Sequence, residues 1–172
     1  MIPKIENVLY ATDLTKNSAY AFRYAVNTAR QHDAKIHILY VSESLPFKTE
    51  ELLRPHIGHD NVDRIREESK ENLRRRIEER LQQFAERELK DDPKTLKRIA
   101  GIHVVFGDPA AEILNKTDEL GCDTVIMGSH GKGAVKHTFL GSVSEKVLHR
   151  IRKPVYIIPL PKEDTDITLG EI

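Results

Sequence analysis

Between Met127 and Val147 the chain reads MGSHGKGAVKHTFLGSVSEKV, which sets glycines, cations and a helix start side by side. Glycine serves where φ must be positive or where a ligand has to approach the main chain closely. Gly128 closes an apolar run, Gly131 and Gly133 keep the next turn free of Cβ atoms, and Gly141-Ser142 opens an amphipathic segment. The first N–H groups of that segment, on Ser142, Val143 and Ser144, have no acceptor within a helix. With the positive helix end they make an anion site, and phosphate is its usual occupant. One helix end contributes about 0.3–1 kcal/mol toward a nearby negative charge, up to ~2 when partly buried. Micromolar binding requires roughly 8 kcal/mol, so several N–H bonds and a buried base must share the work. On composition alone a glycine-rich surface loop is an equal alternative, because isolated glycine motifs misfire often. Neither G-x-x-x-x-G-K-[ST] nor G-x-G-x-x-G occurs, which argues against a Walker loop and against a dinucleotide fold.

Other polar residues have two readings each. Asp13 follows the first apolar run, where it can bond a base or ribose, hold magnesium through water, or cap a helix near Thr15 and Ser18. His130, Lys132, Lys136 and His137 can neutralise phosphate or simply be solvated. His56-Ile57-Gly58-His59 spells the HIGH signature of class I aminoacyl-tRNA synthetases. It follows the second strand pattern rather than the first and has no KMSKS-like companion, so we read it as a chance match; as a metal pair it lacks further ligands.

These residues must be positioned by something, and the apolar pattern says by what. Short Val, Ile and Tyr-rich runs at Asn7–Thr12, Lys35–Val41, Gly101–Phe106, Asp123–Gly128 and Pro154–Pro159 predict five strands, several buried on both faces. Helical periodicity fills the gaps. Ser18–Gln31 lines up Ala21, Phe22, Ala25, Val26 and Ala29, and Val62–Leu89 lines up Ile65, Leu73, Ile77, Leu81 and Phe84. Ala110–Leu120 has Asp108-Pro109 for its cap and first position and Gly121 just past its end. Val143–Ile151 presents Val143, Val147, Leu148 and Ile151. Alternating strands and helices imply an α/β fold with right-handed crossovers and a mostly parallel sheet covered on both faces. Ligands of such sheets bind at the carboxyl strand ends where the strand order reverses. If the first and fourth strands are neighbours, Asp13 and the glycine stretch share one crevice.

Bulk properties narrow the function classes. With 172 residues and 27 acidic against 27 basic side chains, the chain has no net field to draw it to nucleic acid or an anionic membrane. No apolar run approaches spanning length. The start MIPKIENVLYATD enters a strand pattern at once, which predicts no targeting segment, and one cysteine, Cys122, fits a reducing cytoplasm. We expect one domain over 1–160, an irregular excursion at 42–60 and a loose acidic tail at 161–172. The charges of helix 62–89 alternate in sign at i,i+4, as on a solvated face.

Gly128-x2-Gly131-x9-Gly141-Ser142 resembles the G-2x-G-9x-G-(S/T) signature of the universal stress protein family (UspA-like), in its ATP-binding branch. The likeness extends over VLYATDLT, GDPAAEIL, GCDTVIMGSHG, GSVSEKVL and KPVYIIP, nearly the whole chain. It implies an open five-stranded parallel sheet of order 3-2-1-4-5 with helices on both faces, the adenine nucleotide alpha hydrolase-like fold. It also implies ATP, with Mg or Mn, as cofactor. Ala11, Thr12, Asp13 and Val41 would then surround base and ribose, and Met127, Gly128, Ser129, His130, Gly131, Lys132 and Gly133 would form the loop. Gly141, Ser142 and Val143, with Ser144 beside them, would meet the phosphates. Ala11 stands where ATP-binding relatives often have proline. The family pairs as homodimers through the last strand, here the proline-bracketed PVYIIP. The expected function is an ATP-binding stress-response regulator with an unknown protein partner; a slow ATPase and a nucleotide-free dimeric scaffold are the alternatives. No catalytic residue is assigned, because no triad or general base stands where a γ-phosphate would lie.

Overall fold

The computed structural model describes residues 2–43, 59–130 and 140–159. Five strands, β1 (Asn7–Thr12), β2 (Lys35–Ser42), β3 (Ile99–Phe106), β4 (Thr124–Gly128) and β5 (Val155–Ile158), form one sheet in the order β3-β2-β1-β4-β5. Every neighbouring pair is parallel, as the chain's apolar alternation predicts. Between them run α1 (Lys16–His32), α2 (His59–Glu88), the short α3 (Pro93–Leu96), α4 (Pro109–Glu119) and α5 (Ser142–Arg150).

Period-two alternation splits the strand residues between two cores. Val8, Tyr10, Ile36, Ile38, Val104 and Ile126 face α1 and α2, where Phe22, Leu81 and Phe84 close the layer. Leu9, Ala11, Leu39, Val125 and Met127 face the other way, against Ala110 and Ile113 of α4 and Val147 of α5. Helix ends are set by local chemistry. Asp108 accepts from the Ala111 N–H at 2.9 Å ahead of Pro109. Gly121 takes a φ of 59°, the left-handed position that glycine occupies without Cβ strain, and so ends α4.

Three sequence expectations are corrected. The third strand starts at Ile99 rather than Gly101, and α3, too short to show a period, precedes it. Ile65 is exposed rather than on the buried stripe of the long helix. That helix, at 30 residues, spans about 45 Å, whereas the eight-residue strand β3 beside it spans only about 26 Å, so its first turns outrun the sheet. Leu148 is also exposed, because it lies about 100° round the helix from the buried Val147.

On the α4 side of the sheet edge, His37 and His103 are in contact. Burial first, then His103 and Lys35, holds the His37 imidazole below the usual histidine range. His103 is lowered too, by burial and then Lys116, with Glu119 and Glu78 pulling the other way. Among the described residues no helix is long and apolar enough to cross a membrane.

Candidate functional site

Strands β1 and β4 are neighbours, with Ala11 opposite Met127, while β1 also pairs with β2, placing Ala11 opposite Leu39. The chain leaves β1 toward one face and β4 toward the other, so a crevice opens at their carboxyl ends. It holds a cavity of about 740 Å³, within the roughly 300–1,000 Å³ range of small-molecule sites. Ala11, Leu39, Val41, Ile113 and Met127 give it apolar walls; Asp13, Ser42, Glu43 and His130 rim it, and Gly141, Ser142, Val143 and Ser144 close the far side.

The turn after β1 is built from its own polar side chains. Thr12 Oγ1 accepts from the Leu14 N–H at 3.1 Å and contacts Ser18 Oγ at 2.9 Å. Asp13 Oδ1 accepts from Thr15 twice, from N–H at 3.0 Å and from Oγ1 at 2.6 Å. Thr15 in turn caps α1. Leu14 is held at φ 67° by these bonds, a left-handed conformation that costs a non-glycine residue about 1–2 kcal/mol. Asp13 therefore orders the turn and also lines the cavity, while Thr15 is the cap. Beneath it, the Tyr10 hydroxyl donates to the Ser18 carbonyl at 2.6 Å, and burial raises its pKa.

The second turn shows why residue 128 is glycine. A Cβ there would lie 2.7 Å from Asn17 Nδ2. That amide donates to the His130 carbonyl at 2.9 Å and so ties α1 to the residue where the glycine stretch begins. Asn17 Oδ1 is buried and has no hydrogen-bond partner among the described residues. Ser144 Oγ donates to the Gly128 carbonyl at 3.0 Å, and the Gly141 N–H donates to the Ser129 carbonyl at 2.7 Å. These bonds dock the start of α5 against the end of β4. Gly141 is the N-cap of α5, and among the described residues no side-chain cap bond is made there.

Of the residues expected from sequence, Ala11, Thr12, Asp13, Val41, Met127, Gly128, His130, Gly141, Ser142 and Val143 come together around the cavity, and Ser144 joins them. Ser129 does not line it. Ser129 is buried, its N–H donates to the Ile158 carbonyl at 2.9 Å, and its hydroxyl meets His130 Nδ1 at 2.8 Å, so it staples β4 to β5. Gly131, Lys132, Gly133, Lys136 and His137 lie outside the described residues, as do His56, most of the 42–60 excursion and the tail from 160. Asn17, Leu39 and Ile113 were not expected. Their contribution depends on which strand is whose neighbour, and no local pattern carries that.

The Asn17–Gly128 contact makes a quantitative prediction. Gly128→Ala alone is expected to destabilise by more than about 1 kcal/mol, since backbone and a buried amide must both yield. Asn17→Ala alone removes the hydrogen bond to the His130 carbonyl and costs roughly 0.5–1.5 kcal/mol. In the double variant the new methyl enters the space vacated by the amide. Urea unfolding of the four proteins should then give a coupling of about 0.5–3 kcal/mol; strict additivity would mean that the amide does not occupy the glycine's face.

An open, parallel 3-2-1-4-5 sheet with a helix start and a cavity at its switch point defines a doubly wound α/β protein. The sequence profile of the Universal stress protein family matches residues 4–159, and the chain belongs to that family. Universal stress protein YxiE of Bacillus subtilis is 31% identical over 152 residues, 88% of this chain and 97% of that protein. Universal stress protein MJ0577 of Methanocaldococcus jannaschii is 28% identical over 156 residues, 89% of this chain and 94% of its own length. The solved MJ0577 structure shares the fold at a TM-score of 0.63, with 22% identity over 94% of this chain and all of that one (100%). A universal stress protein solved in complex with cAMP has a TM-score of 0.54 at 21% identity, covering 91% of this chain and 98% of that one.

Proposed function

We propose that the crevice binds ATP and that the protein is a nucleotide-dependent stress-response regulator, with residues 1–160 acting as one unit. The observation that carries the reading is the α5 start. Its N-cap, Gly141, has no side chain to bond the first N–H groups, and Ser142, Val143 and Ser144 line the same cavity as an apolar wall of a size and character suited to a purine. Supporting it, a fold relative was solved with the adenine nucleotide cAMP. Leu39, Val41, Ile113 and Met127 would flank the base, Asp13 would accept from base or ribose, and the α5 start would take the phosphates. Among the described residues the cavity's carboxylates are Asp13, Glu43 and Glu145. Asp13 already holds Thr15 at the base end, so a magnesium or manganese ion would be carried by the phosphates and water rather than caged by protein. β5, with Tyr156 exposed at the sheet edge, is the surface through which we infer a homodimer.

The test is a calorimetric titration of nucleotide-stripped protein with ATP and magnesium, beside AMP and cAMP. Micromolar binding of ATP, weakening as phosphates are removed, is expected. No heat together with no rise in melting temperature at millimolar ATP would overturn the reading, since any ligand of the folded state stabilises it.

A further inference from the structure

His37 of β2 and His103 of β3 sit on the sheet face that carries Leu39 and Val105, under α4. In register His37 opposes Gly101 and His103 opposes Leu39, so the two rings are diagonal neighbours on adjacent strands. Diagonal pairs are about 7–8 Å apart at the backbone, within reach of two imidazoles leaning together. They do lean together. His37 Nδ1 lies 3.3 Å from His103 Nε2, and the ring centroids are 5.5 Å apart at 34°.

Two nitrogens held by one tetrahedral zinc, at Zn–N of 2.0–2.1 Å, lie about 3.3–3.4 Å apart. The observed separation matches without rearrangement of the strands, and the two rings, now nearly head-on, need only turn to aim both nitrogen lone pairs at one ion. Gly101 keeps the space before the ring open: a Cβ there would come within 3.0 Å of His103 Nε2. Both rings are only half-buried, which leaves room for water at the remaining positions. Glu119 and Glu78 add negative charge near His103 against Lys116, and Lys35 adds positive charge near His37. No third protein ligand joins the pair among the described residues, so the site is a two-ligand clip rather than a closed structural centre. Neither histidine lines the crevice at the strand ends.

We propose that His37 and His103 form a binding site for a borderline divalent transition-metal ion, with Zn²⁺ as probe and water completing its coordination. Imidazole selects this class over magnesium and calcium, which require oxygen ligands. The site is independent of the nucleotide reading.

The test uses the untagged, full-length, nucleotide-free protein, with ¹⁵N-labelled histidine rings followed by NMR during addition of ZnCl₂ or MgCl₂. Zn²⁺ is expected to shift the His37 and His103 ring signals together and to saturate at one ion per chain, while Mg²⁺ leaves them in place. His37→Gln and His103→Gln are each expected to lose that binding, and with it the zinc-dependent rise in melting temperature. If the two rings do not respond to zinc, or if equimolar binding persists in both variants, the pair is a plain imidazole–imidazole hydrogen bond and the proposal fails. The wild-type spectra read the rings directly, so the result stands even where a variant folds poorly.

Discussion

Replacing Ser142 by proline is expected to weaken ATP binding roughly 10- to 150-fold while leaving the melting temperature unchanged or slightly higher. The size follows from deleting one hydrogen bond to a charged group, about 1.5–3 kcal/mol. The neutrality toward folding follows from position. Ser142 is the first residue of α5, where an N–H has no intrahelical acceptor and proline's fixed φ suits the helix. Gly141 before it is extended, at φ −74° and ψ 158°, as a residue preceding proline must be. The first internal bond of the helix, from the Glu145 N–H to the Gly141 carbonyl at 3.0 Å, is untouched. Ser142→Ala serves as control, because it removes the hydroxyl and keeps the N–H. Calorimetry on the three proteins separates the contributions. Unchanged ATP affinity in the proline variant would remove the α5 start from the phosphate site.

Phe22→Ala is expected to cost about 3–5 kcal/mol, the largest stability loss of any single change considered. Phe22 is fully buried at the meeting point of α1, the sheet and α2. Its ring centroid lies 5.2 Å from that of Tyr10 and 5.1 Å from that of Phe84, both tilted. Such pairs add about 0.5–1.5 kcal/mol beyond area burial. Truncation therefore leaves a cavity between two aromatic rings that helix and sheet hold apart. For a chain of this size the loss corresponds to a fall in melting temperature of roughly 6–20 °C. Phe22→Leu keeps most of the volume and should cost far less. Scanning calorimetry or urea unfolding decides the matter, and a loss below about 1 kcal/mol would mean that α2 collapses onto the sheet to fill the gap.

Ser142 and Phe22 stand at opposite ends of one architecture. Phe22 belongs to the layer that fixes α1 beneath β1 and β4, and α1 carries Asn17, which holds the start of the glycine stretch at His130. Stability of that layer and geometry of the crevice are thus linked through that buried amide and through the Thr12–Ser18 contact.

What the sequence determined by itself was local. Apolar alternation marked all five strands, and Asp108-Pro109 and Gly121 marked both ends of α4. Each of these signals is written in residues a few positions apart, within the reach of strand and helix periods. The tertiary structure alone decided the rest. It put Asn17 against Gly128, and against His130 across a separation of 113 residues. It brought His37 to His103 across 66, and turned Ser129 from the cavity into a staple between strands. It also left Ile65 exposed, because the overhang of α2 depends on the length of the strand beside it. Such contacts follow from strand order, register and relative length. Those are properties of the packed sheet, fixed when both of its faces are buried at once, and no short run of residues encodes them.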